Sequence, residues 1–421
     1  MERKEAESIL QHRFGLSGFY DEQWVAIERI LRGERVLLIE KTGFGKSLCF
    51  QFPALVFDGV TVIFSPLIAL MRDQVKKLKS LGIEARCINS EQTDAENAVI
   101  INEAKTGRVK ILYIAPERQE NSSWIEATRA MKLAMIVVDE AHCISAWGHD
   151  FRPAFRRIIN LVKLLPRNLP VLATTATATK KVEHDIAAQM GGELTVIRGN
   201  LMRSNFRLFV IQVTSEDEKL TWLGKHLPRL PGSGIIYTGT RINTEIYTRW
   251  LNYLDIPCAG YNAGLDPGSR VAVEEGLMNN QWKCVVSTNA LGMGIDKPDI
   301  RFIIHTQIPQ SPVHYYQEIG RAGRDGEPAW IILFYNPQDR DLPEAFIEGS
   351  RPPVSTYERV IGAVKQELLG EKDLMRRTNL RMGQIRVIKA DLMEQKIVRE
   401  LTINGRKKLE FIANAPVLDT H

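Results

Sequence analysis

Ten short apolar segments recur between helical patterns, and they constrain the fold more than any other feature of the sequence. Each is five or six residues long, almost continuously apolar and rich in β-branched side chains. Such strands are typical of parallel sheets that are covered by helices on both faces. The first five segments are 36–40, 61–65, 111–115, 135–139 and 171–175, and the second five are 208–213, 234–239, 284–288, 302–306 and 330–335.

The two series of strands are separated near residues 198–207, which predicts an α/β protein with two parallel-sheet lobes. A stretch rich in proline and charge, residues 335–353, marks a boundary after the second lobe. We therefore expect a first lobe at 1–206, a second lobe at 207–338, and a linker with a small domain at 339–421.

The C-terminal domain has a different pattern, with helices predicted at residues 355–368, 371–382 and 383–398. Two β-patterned arms then flank Asn404-Gly405, which is a strong hairpin signal. Three helices and a ribbon predict a mostly helical, winged-helix-like domain. The alternative is a packing appendage that only braces the second lobe.

This domain also carries the whole excess of positive charge. Residues 351–421 contain 14 Lys and Arg against 9 Asp and Glu, whereas residues 1–350 contain 41 of each. A basic domain attracts polyanions, although an excess of this size also fits an ordinary solvated surface. We expect Arg406, Lys407 and Lys408, beside the hairpin tip, to contact nucleic acid.

The cysteine pattern argues against a disulfide framework and against a zinc site. The cysteines are odd in number, widely scattered and without a C-x-x-C pair. They are Cys49, Cys87, Cys143, Cys258 and Cys284. Because no apolar run approaches the ~20 residues of a membrane helix and no signal peptide is visible, we expect a cytoplasmic or nuclear protein that is not secreted.

Residues 39–50 nearly match the phosphate-loop pattern G-x-x-x-x-G-K-[ST], with Glu40 in place of the first glycine. Glycines let the backbone N–H groups wrap a phosphate, a lysine reaches the β- and γ-phosphates, and a hydroxyl holds Mg²⁺. The alternative is a simple glycine turn. The residues expected to bind the nucleotide here are Thr42, Gly43, Phe44, Gly45, Lys46 and Ser47, with Ser47 also on the metal.

An acidic pair follows the fourth predicted strand in "VVDEAH", residues 137–142. Carboxylates that emerge from a buried strand are unfavourable unless they hold a metal or perform chemistry. We expect Asp139 to hold Mg²⁺ through water and Glu140 to activate the attacking water. His142 has no spaced partner for zinc, so we expect it to relay contacts to the second lobe. The alternative is the capped start of a helix.

The second lobe contains "YYQEIGRAGRDG", residues 315–326, in which Gln317, Arg321 and Arg324 share one face at spacings of four and three. Arginines that one lobe presents to a γ-phosphate on another form an arginine finger. A solvated face is the alternative, but glycines at 320, 323 and 326 permit close approach to the other lobe.

These motifs, together with five others in order, resemble the RecQ family of superfamily 2 helicases over about residues 10–338. The additional matching segments are 10–27, 65–74, 115–118, 175–179 and 287–302, and residues 141–155 resemble the family's aromatic-rich loop. The resemblance implies two RecA-like lobes and ATP hydrolysis with Mg²⁺. It also implies 3′-to-5′ movement on single-stranded DNA with unwinding of duplex or forked DNA, in DNA repair or recombination.

The resemblance also assigns residues that the patterns above do not. In the adenine-reading motif these are Leu16, Tyr20 and Gln23, with Gln23 on the adenine edge. Gly294 and Asp296 are expected to contact the nucleotide from the second lobe. The residues expected to contact DNA are Ser65, Trp147, His149, Phe151 and Arg152.

The sequence departs from the family pattern in three places. Tyr20 stands where the family usually has Arg or Lys, and Glu40-Lys41 stands where Met-Pro is more common. The family's four-cysteine zinc module is missing after the second lobe, since the last cysteine is Cys284.

Two rival functions remain open on the sequence. One is an RNA helicase, against which the DEAH motif and the aromatic loop both argue. The other is a nucleic-acid clamp that uses ATP only as a conformational ligand, although the hydrolytic residues Lys46, Glu140 and Arg321 are present.

The cysteine pattern gives the first testable prediction. We expect the purified protein to contain no stoichiometric zinc, and a chelator to leave its melting temperature unchanged, because thiolate ligands are lacking after residue 284. Elemental analysis measures the metal directly. One equivalent of zinc per chain would show that the C-terminal domain has been misread.

Overall fold

The computed structural model describes most of the chain. The described residues are 1–66, 68–120, 124, 128, 130–145, 155, 158, 162, 165–190, 194–291, 297–340, 353–403 and 406–412. The chain divides into two compact units, Met1–Asn336 and Pro337–His421. The larger unit contains the first predicted lobe and the second as far as Asn336.

The first lobe is built on a parallel sheet that has seven strands in the described residues, in the order β3-β4-β2-β5-β6-β1-β7. Its strands are β1 (Arg35–Ile39), β2 (Val60–Phe64), β3 (Ala85–Ile88), β4 (Ile111–Ile114), β5 (Leu133–Val138), β6 (Val171–Thr175) and β7 (Thr195–Arg198). Its described helices are α1 (Arg3–Phe14) and α2 (Asp21–Leu31), which precede β1, and α3 (Leu48–Val56), α4 (Ile68–Ser80), α5 (Asp94–Lys105) and α6 (Lys180–Gln189), which lie between strands.

The second lobe has a parallel sheet with six strands in the described ranges, in the order β10-β11-β9-β12-β13-β8. Its strands are β8 (Phe206–Gln212), β9 (Ser233–Tyr237), β10 (Cys258–Tyr261), β11 (Cys284–Ser287), β12 (Ile300–His305) and β13 (Ala329–Tyr335). Its helices are α7 (Glu216–His226), α8 (Arg241–Tyr253), α9 (Pro267–Met278) and α10 (Pro312–Ile319).

Apolar clusters lie on both faces of each sheet, as the apolar patterns predict, although the edge strand β8 is largely exposed. On β1, Leu37 and Ile39 pack into one hydrophobic cluster, whereas Val36 and Leu38 pack into another on the opposite face. Because side chains alternate between the faces of a strand, a strand buried on both sides must be apolar at every position. The central strands are therefore easy to recognise in the sequence.

All ten predicted strands are confirmed, and each predicted end lies within two residues of the observed end. Three strands in the described part of the chain escaped prediction, and each lies at an edge of its sheet: β3, β7 and β10. Each is four residues long and partly exposed, so it lacks a continuous apolar run. Short, partly polar edge strands limit pairing between chains, which is why their sequences carry a weak strand signal.

The smaller unit contains α11 (Val354–Gln366), α12 (Glu371–Thr378), α13 (Met382–Glu394) and an antiparallel ribbon of β14 (Val398–Ile403) and β15 (Arg406–Phe411). An isolated bridge joins Leu369 to Leu409. One apolar cluster includes Val360, Leu374, Ile388 and Leu409, so the helices and the ribbon share a core. The three helices begin within one residue of their predicted starts and end two to four residues early, and the two predicted arms form the ribbon. Classification as a winged helix stays a prediction.

None of the helices in the described ranges is long and apolar enough to cross a lipid bilayer.

Gly59 gives a prediction about the core of the first lobe. It has a φ of +130° just before β2, and a Cβ there would overlap the carbonyl oxygen of Lys132, just before the neighbouring β5. We expect Gly59→Ala to destabilise the protein by about 3 kcal/mol or more, because backbone strain and steric overlap add. Chemical denaturation followed by circular dichroism measures this.

Gly107→Ala is the matched control. Gly107 also has a positive φ, of +74°, but its Cβ would meet nothing within 4 Å among the residues that the structure describes. Strain alone should then lower the free energy of unfolding by about 1 kcal/mol. Equal effects of the two substitutions would contradict the steric argument.

Candidate functional site

The loop between β1 and α3 has the shape of a phosphate cradle. Gly43 and Gly45 have φ values of +81° and +86°, in the left-handed region that glycine adopts without strain. A Cβ on Gly45 would lie 2.7 Å from the side-chain nitrogen of Gln23, so a larger residue there would displace that side chain. Helix α3 begins immediately afterwards, and a helix N-terminus directs free backbone N–H groups and a partial positive charge at this loop.

Lys46 lies within this loop and is surrounded by acidic groups. Its Nζ donates to the carbonyl oxygens of Glu40, at 2.8 Å, and Lys41, at 3.1 Å. Burial lowers the pKa of the ammonium group, and the carboxylates of Glu140 and Asp139 oppose this shift. The ammonium group is therefore close enough to the acidic pair to feel its charge, and its contact with a phosphate stays a prediction.

Glu40, which replaces the first glycine of the pattern, is only 2% exposed. Its carboxylate fills the space that a Cβ on Gly199 would need, in the segment that leads to the second lobe. Burial raises the pKa of this carboxyl group. The departure from the loop pattern therefore leaves the cradle intact and changes what packs behind it.

Asp139 follows β5 and is fixed by its neighbours. Its Oδ1 accepts hydrogen bonds from the hydroxyl of Thr174, at 2.8 Å, and from the N–H of Glu140, at 3.1 Å. Its Oδ2 accepts from the hydroxyl of Ser65 at 3.4 Å. Burial raises the pKa of Asp139 to about 6, and the nearby charge of Glu140 adds to the effect. A cation beside this carboxylate would stabilise its ionised form.

Glu140 has a left-handed backbone, with φ of 52°, which is strained for a side chain of this type. Its Oε2 lies 3.2 Å from Nδ1 of the buried His142. The same ring nitrogen lies 3.1 Å from the hydroxyl of Thr175 and 3.3 Å from that of Thr177. Gln317 of the second lobe contacts Thr177 at 3.5 Å. A chain of polar contacts thus leads from the acidic pair to the second lobe.

The turn after α10, residues 320–325, lies directly against the phosphate loop. A Cβ on Gly320 would be 3.2 Å from the side chain of Thr42, and a Cβ on Gly43 would be 3.3 Å from Cγ of Arg324. Of the three glycines expected to permit this approach, Gly320 faces the phosphate loop and Gly323 faces Asn205, just before β8. A Cβ on Gly326 would meet nothing within 4 Å in the described residues.

Arg321 is buried beside Tyr237, and burial raises the pKa of that phenol to about 12 while the guanidinium charge opposes the shift. Within the described residues, Nε of Arg321 has no hydrogen-bond partner. A buried donor without a partner is unfavourable, and an incoming anion would satisfy it. The site therefore offers charges and donors that fit a polyphosphate, and carboxylate and hydroxyl oxygens that fit Mg²⁺.

The adenine-reading motif lies beside the loop. Gln23 is buried, and its Nε2 donates to the carbonyl oxygen of Phe44 at 2.9 Å while its Oε1 accepts from the N–H of Tyr20 at 3.0 Å. Tyr20 is 65% exposed, with its ring 6.0 Å from that of Phe44, and Leu16 is exposed as well. Gln23 thus ties α2 to the loop, and its reading of adenine stays a prediction.

Of the residues expected to bind nucleic acid, Ser65, Lys407 and Lys408 have side chains in the described part of the chain. Ser65 is 1% exposed, so its placement beside Asp139 does not support a contact with a strand. Lys407 is exposed and lies 3.2 Å from Glu400, whereas Lys408 is half-buried. Four residues expected to contact DNA lie outside the described part of the chain: Trp147, His149, Phe151 and Arg152. The side chain of Arg406 lies outside it too, as do Gly294 and Asp296, which are expected to contact the nucleotide.

Two residues of the segment between the lobes belong to this site and were missed in the sequence. Arg203 contacts both the phosphate loop and the arginine turn, and Asn205 holds the turn at two points. The available signal was weak, since "MRSN" has no spacing rule that links it to either motif.

Comparison with known proteins agrees with this geometry. The DEAD/DEAH box helicase family model matches residues 20–185, and the helicase conserved C-terminal domain model matches residues 218–326. Among solved structures, the Mycobacterium smegmatis helicase Lhr bound to ssDNA and AMP-PNP has a similar fold, with a TM-score of 0.63. It is 19% identical, and the match covers 95% of this chain and 59% of that chain.

Similar sequences define the family. ATP-dependent DNA helicase RecQ of Haemophilus influenzae is 38% identical over 373 residues, which cover 88% of this chain but only 59% of that relative. The probable ATP-dependent DNA helicase RecS of Bacillus subtilis is 38% identical over 349 residues, which cover 81% of this chain and 69% of the relative. With the phosphate loop, the acidic pair and the arginine turn assembled between two parallel-sheet lobes, the chain belongs to the RecQ family of DNA helicases.

Proposed function

We propose that this protein is an ATP-dependent DNA helicase that hydrolyses ATP between its two lobes. The observation that carries the proposal is the contact of the arginine turn of the second lobe with the phosphate loop of the first, beside Thr42 and Gly43. A nucleotide bound to this loop would be within reach of groups from both lobes. Hydrolysis would then depend on how closely the lobes approach each other.

Each charged or polar residue of the proposed ATP site has a role that its chemistry supports. Lys46 binds the β- and γ-phosphates, and Arg321 and Arg324 stabilise the charge that develops on the transferred phosphoryl group. Glu140 accepts a proton from the attacking water, and His142 keeps Glu140 oriented while linking it to the second lobe. Gln317 completes this link through Thr177.

Magnesium fits the donor set of Ser47 and Asp139. In the described part of the chain the hydroxyl of Ser47 makes no capping hydrogen bond to α3, and we propose that it is a ligand of the metal. When bound, Mg²⁺ would neutralise negative charge on the β- and γ-phosphate oxygens. The hydrogen bonds from Thr174 and the Glu140 N–H orient the Asp139 carboxylate for this purpose.

DNA is the proposed nucleic acid because the related proteins are named as DNA helicases. The expected aromatic contacts at Trp147 and Phe151 would stack on bases, which every base permits. Cycles of lobe closure and opening would move the protein 3′ to 5′ along one strand. Duplex or forked DNA would be unwound in this way during repair or recombination.

The assignment of Glu140 can be tested by substitution. Glu140→Gln keeps the shape of the side chain and removes the base, so we expect nucleotide affinity to stay within about threefold and kcat to fall at least 100-fold. Lys46→Ala should weaken binding and turnover together. Steady-state ATPase assays and binding of a fluorescent ADP analogue measure the two effects.

A second measurement compares how strongly single-stranded DNA and RNA of the same sequence stimulate ATP hydrolysis by the wild-type protein. We expect stimulation by the DNA strand to be the greater. Greater stimulation by RNA would favour the RNA-helicase alternative, and normal turnover by Glu140→Gln would refute the hydrolytic assignment. A wild-type protein that binds ATP without hydrolysing it would favour the clamp.

The ribbon of the smaller unit is proposed to meet duplex phosphates at the point of strand separation. Changing Arg406, Lys407 and Lys408 to Ala should lower the affinity for forked DNA. The slope of log K against log salt concentration should also become less steep, by about 0.9 for each phosphate that is no longer neutralised. Unwinding should fall more than ATP hydrolysis does. Fluorescence anisotropy at several salt concentrations and a strand-displacement assay measure these quantities.

Lys105→Ala with Arg108→Ala is a suitable control, because both residues are exposed basic side chains of the first lobe. That double variant should bind and unwind forks like the wild type. If the ribbon variant does so too, the smaller unit is a brace and not a strand separator.

A further inference from the structure

The segment between the lobes, residues 199–205, does more than connect them. It runs from the end of β7 in the first sheet to the start of β8 in the second. We call it the interlobe segment. Its side chains and backbone contact both the phosphate loop and the arginine turn, so it is a physical link between the two halves of the proposed ATP site.

Arg203 makes the central contacts of the interlobe segment. Its guanidinium donates to the carbonyl oxygen of Thr42 in the phosphate loop. It also donates to the carbonyl oxygens of Gly320, at 3.0 Å, and Ala322, at 2.8 Å, in the arginine turn. One side chain therefore holds the backbone of both motifs, and Thr42 is 161 residues away from it in sequence.

Other members of the segment contact the second lobe alone. Nδ2 of Asn205 donates to the carbonyl oxygens of Gly323 and Glu327, both at 2.8 Å. The hydroxyl of Tyr316, on α10, donates to the carbonyl oxygen of Leu201 at 2.5 Å. Neither contact reaches the phosphate loop, which sets Arg203 apart from Asn205.

The chemistry of Arg203 suits a sensor of loop conformation. In the described part of the chain, each of its hydrogen bonds goes to a main-chain carbonyl, whose direction depends on the local backbone angles. A planar guanidinium requires its acceptors in fixed directions. If the Thr42 carbonyl rotates when the loop closes on a phosphate, the contact with Arg203 must change with it.

Charge adds a second argument. A Cβ on Gly43 would lie 2.9 Å from a guanidinium nitrogen of Arg203 and 3.3 Å from Cγ of Arg324. Burial lowers the pKa of Arg203, and the positive charge of Arg324 lowers it further. Two like charges beside the phosphate loop repel each other, and a polyphosphate bound there would relieve the repulsion.

We propose that Arg203 is a positioning residue for ATP hydrolysis, which sets the distance between the phosphate loop and the arginine turn through the carbonyls of Thr42, Gly320 and Ala322. It does not act on the reacting atoms itself. The proposal rests on the ATP hydrolysis proposed above and identifies the side chain that makes hydrolysis depend on the approach of the lobes.

The test compares four variants of the full chain. Arg203→Gln removes the charge and the fork of donors, and Arg203→Lys keeps the charge alone. Asn205→Ala loosens the arginine turn without touching the phosphate loop, and Arg207→Ala removes an exposed arginine four residues further on, in β8. For each we would measure kcat and KM for ATP with saturating single-stranded DNA, Kd for AMP-PNP and the melting temperature.

We expect Arg203→Gln to lower kcat by about tenfold or more while Kd for AMP-PNP stays within about threefold. The cradle that binds the phosphates remains, whereas the alignment of the arginines is lost. Arg203→Lys should recover part of kcat. Asn205→Ala should lower kcat by less than about threefold, and Arg207→Ala should match the wild type.

Turnover of Arg203→Gln within twofold of the wild type would overturn the proposal. Equal losses of kcat in Arg203→Gln and Asn205→Ala, with equally lowered melting temperatures, would also overturn it, since Arg203 would then only brace the turn. A wild-type chain that does not hydrolyse ATP would refute the proposed function and this proposal together. Normal turnover in Arg203→Gln refutes this proposal alone.

Discussion

The burial of opposite charges at the carboxyl edge of the first parallel sheet is the constraint on which the rest of the structure depends. Lys46 follows β1 and Asp139 follows β5, and the strands place both at the same edge of the sheet. Burial raises the pKa of Asp139 to about 6 and lowers that of Lys46. Charges in such a place are stabilised only by close partners, so this edge is prepared for a phosphate and a cation.

The second lobe is connected to this edge mostly through main-chain atoms. Arg203 holds carbonyl oxygens of both motifs, and the chain from Glu140 through His142 and Thr177 to Gln317 provides a second connection. Backbone acceptors move only when the local backbone moves. The two lobes are therefore coupled through the conformation of two loops, and this suits a site whose activity depends on lobe closure.

The departure at Glu40 can be understood in the same terms. The first glycine of the pattern lies behind the cradle, where its replacement does not obstruct the phosphate-facing N–H groups. The buried Glu40 carboxylate packs on Gly199, at the start of the interlobe segment, where only glycine leaves room for it. In this chain, residue 40 therefore belongs to the support of the loop and to the contact with the segment that joins the lobes.

Local sequence patterns were sufficient to predict the two-lobed α/β fold, and together with the family resemblance they marked the phosphate loop, the acidic pair and the arginine turn as a proposed ATP site. A central strand is apolar at every position, and each motif is a short run of residues, so these signals need no knowledge of distant partners. The edge strands β3, β7 and β10 emerged only in the folded chain, because their half-exposed sides leave no continuous apolar run. The same holds for Arg203, whose partners lie more than 100 residues away in either direction. The packing of the two lobes brings those partners together in space, and a local sequence pattern cannot predict a contact between residues so far apart in the chain.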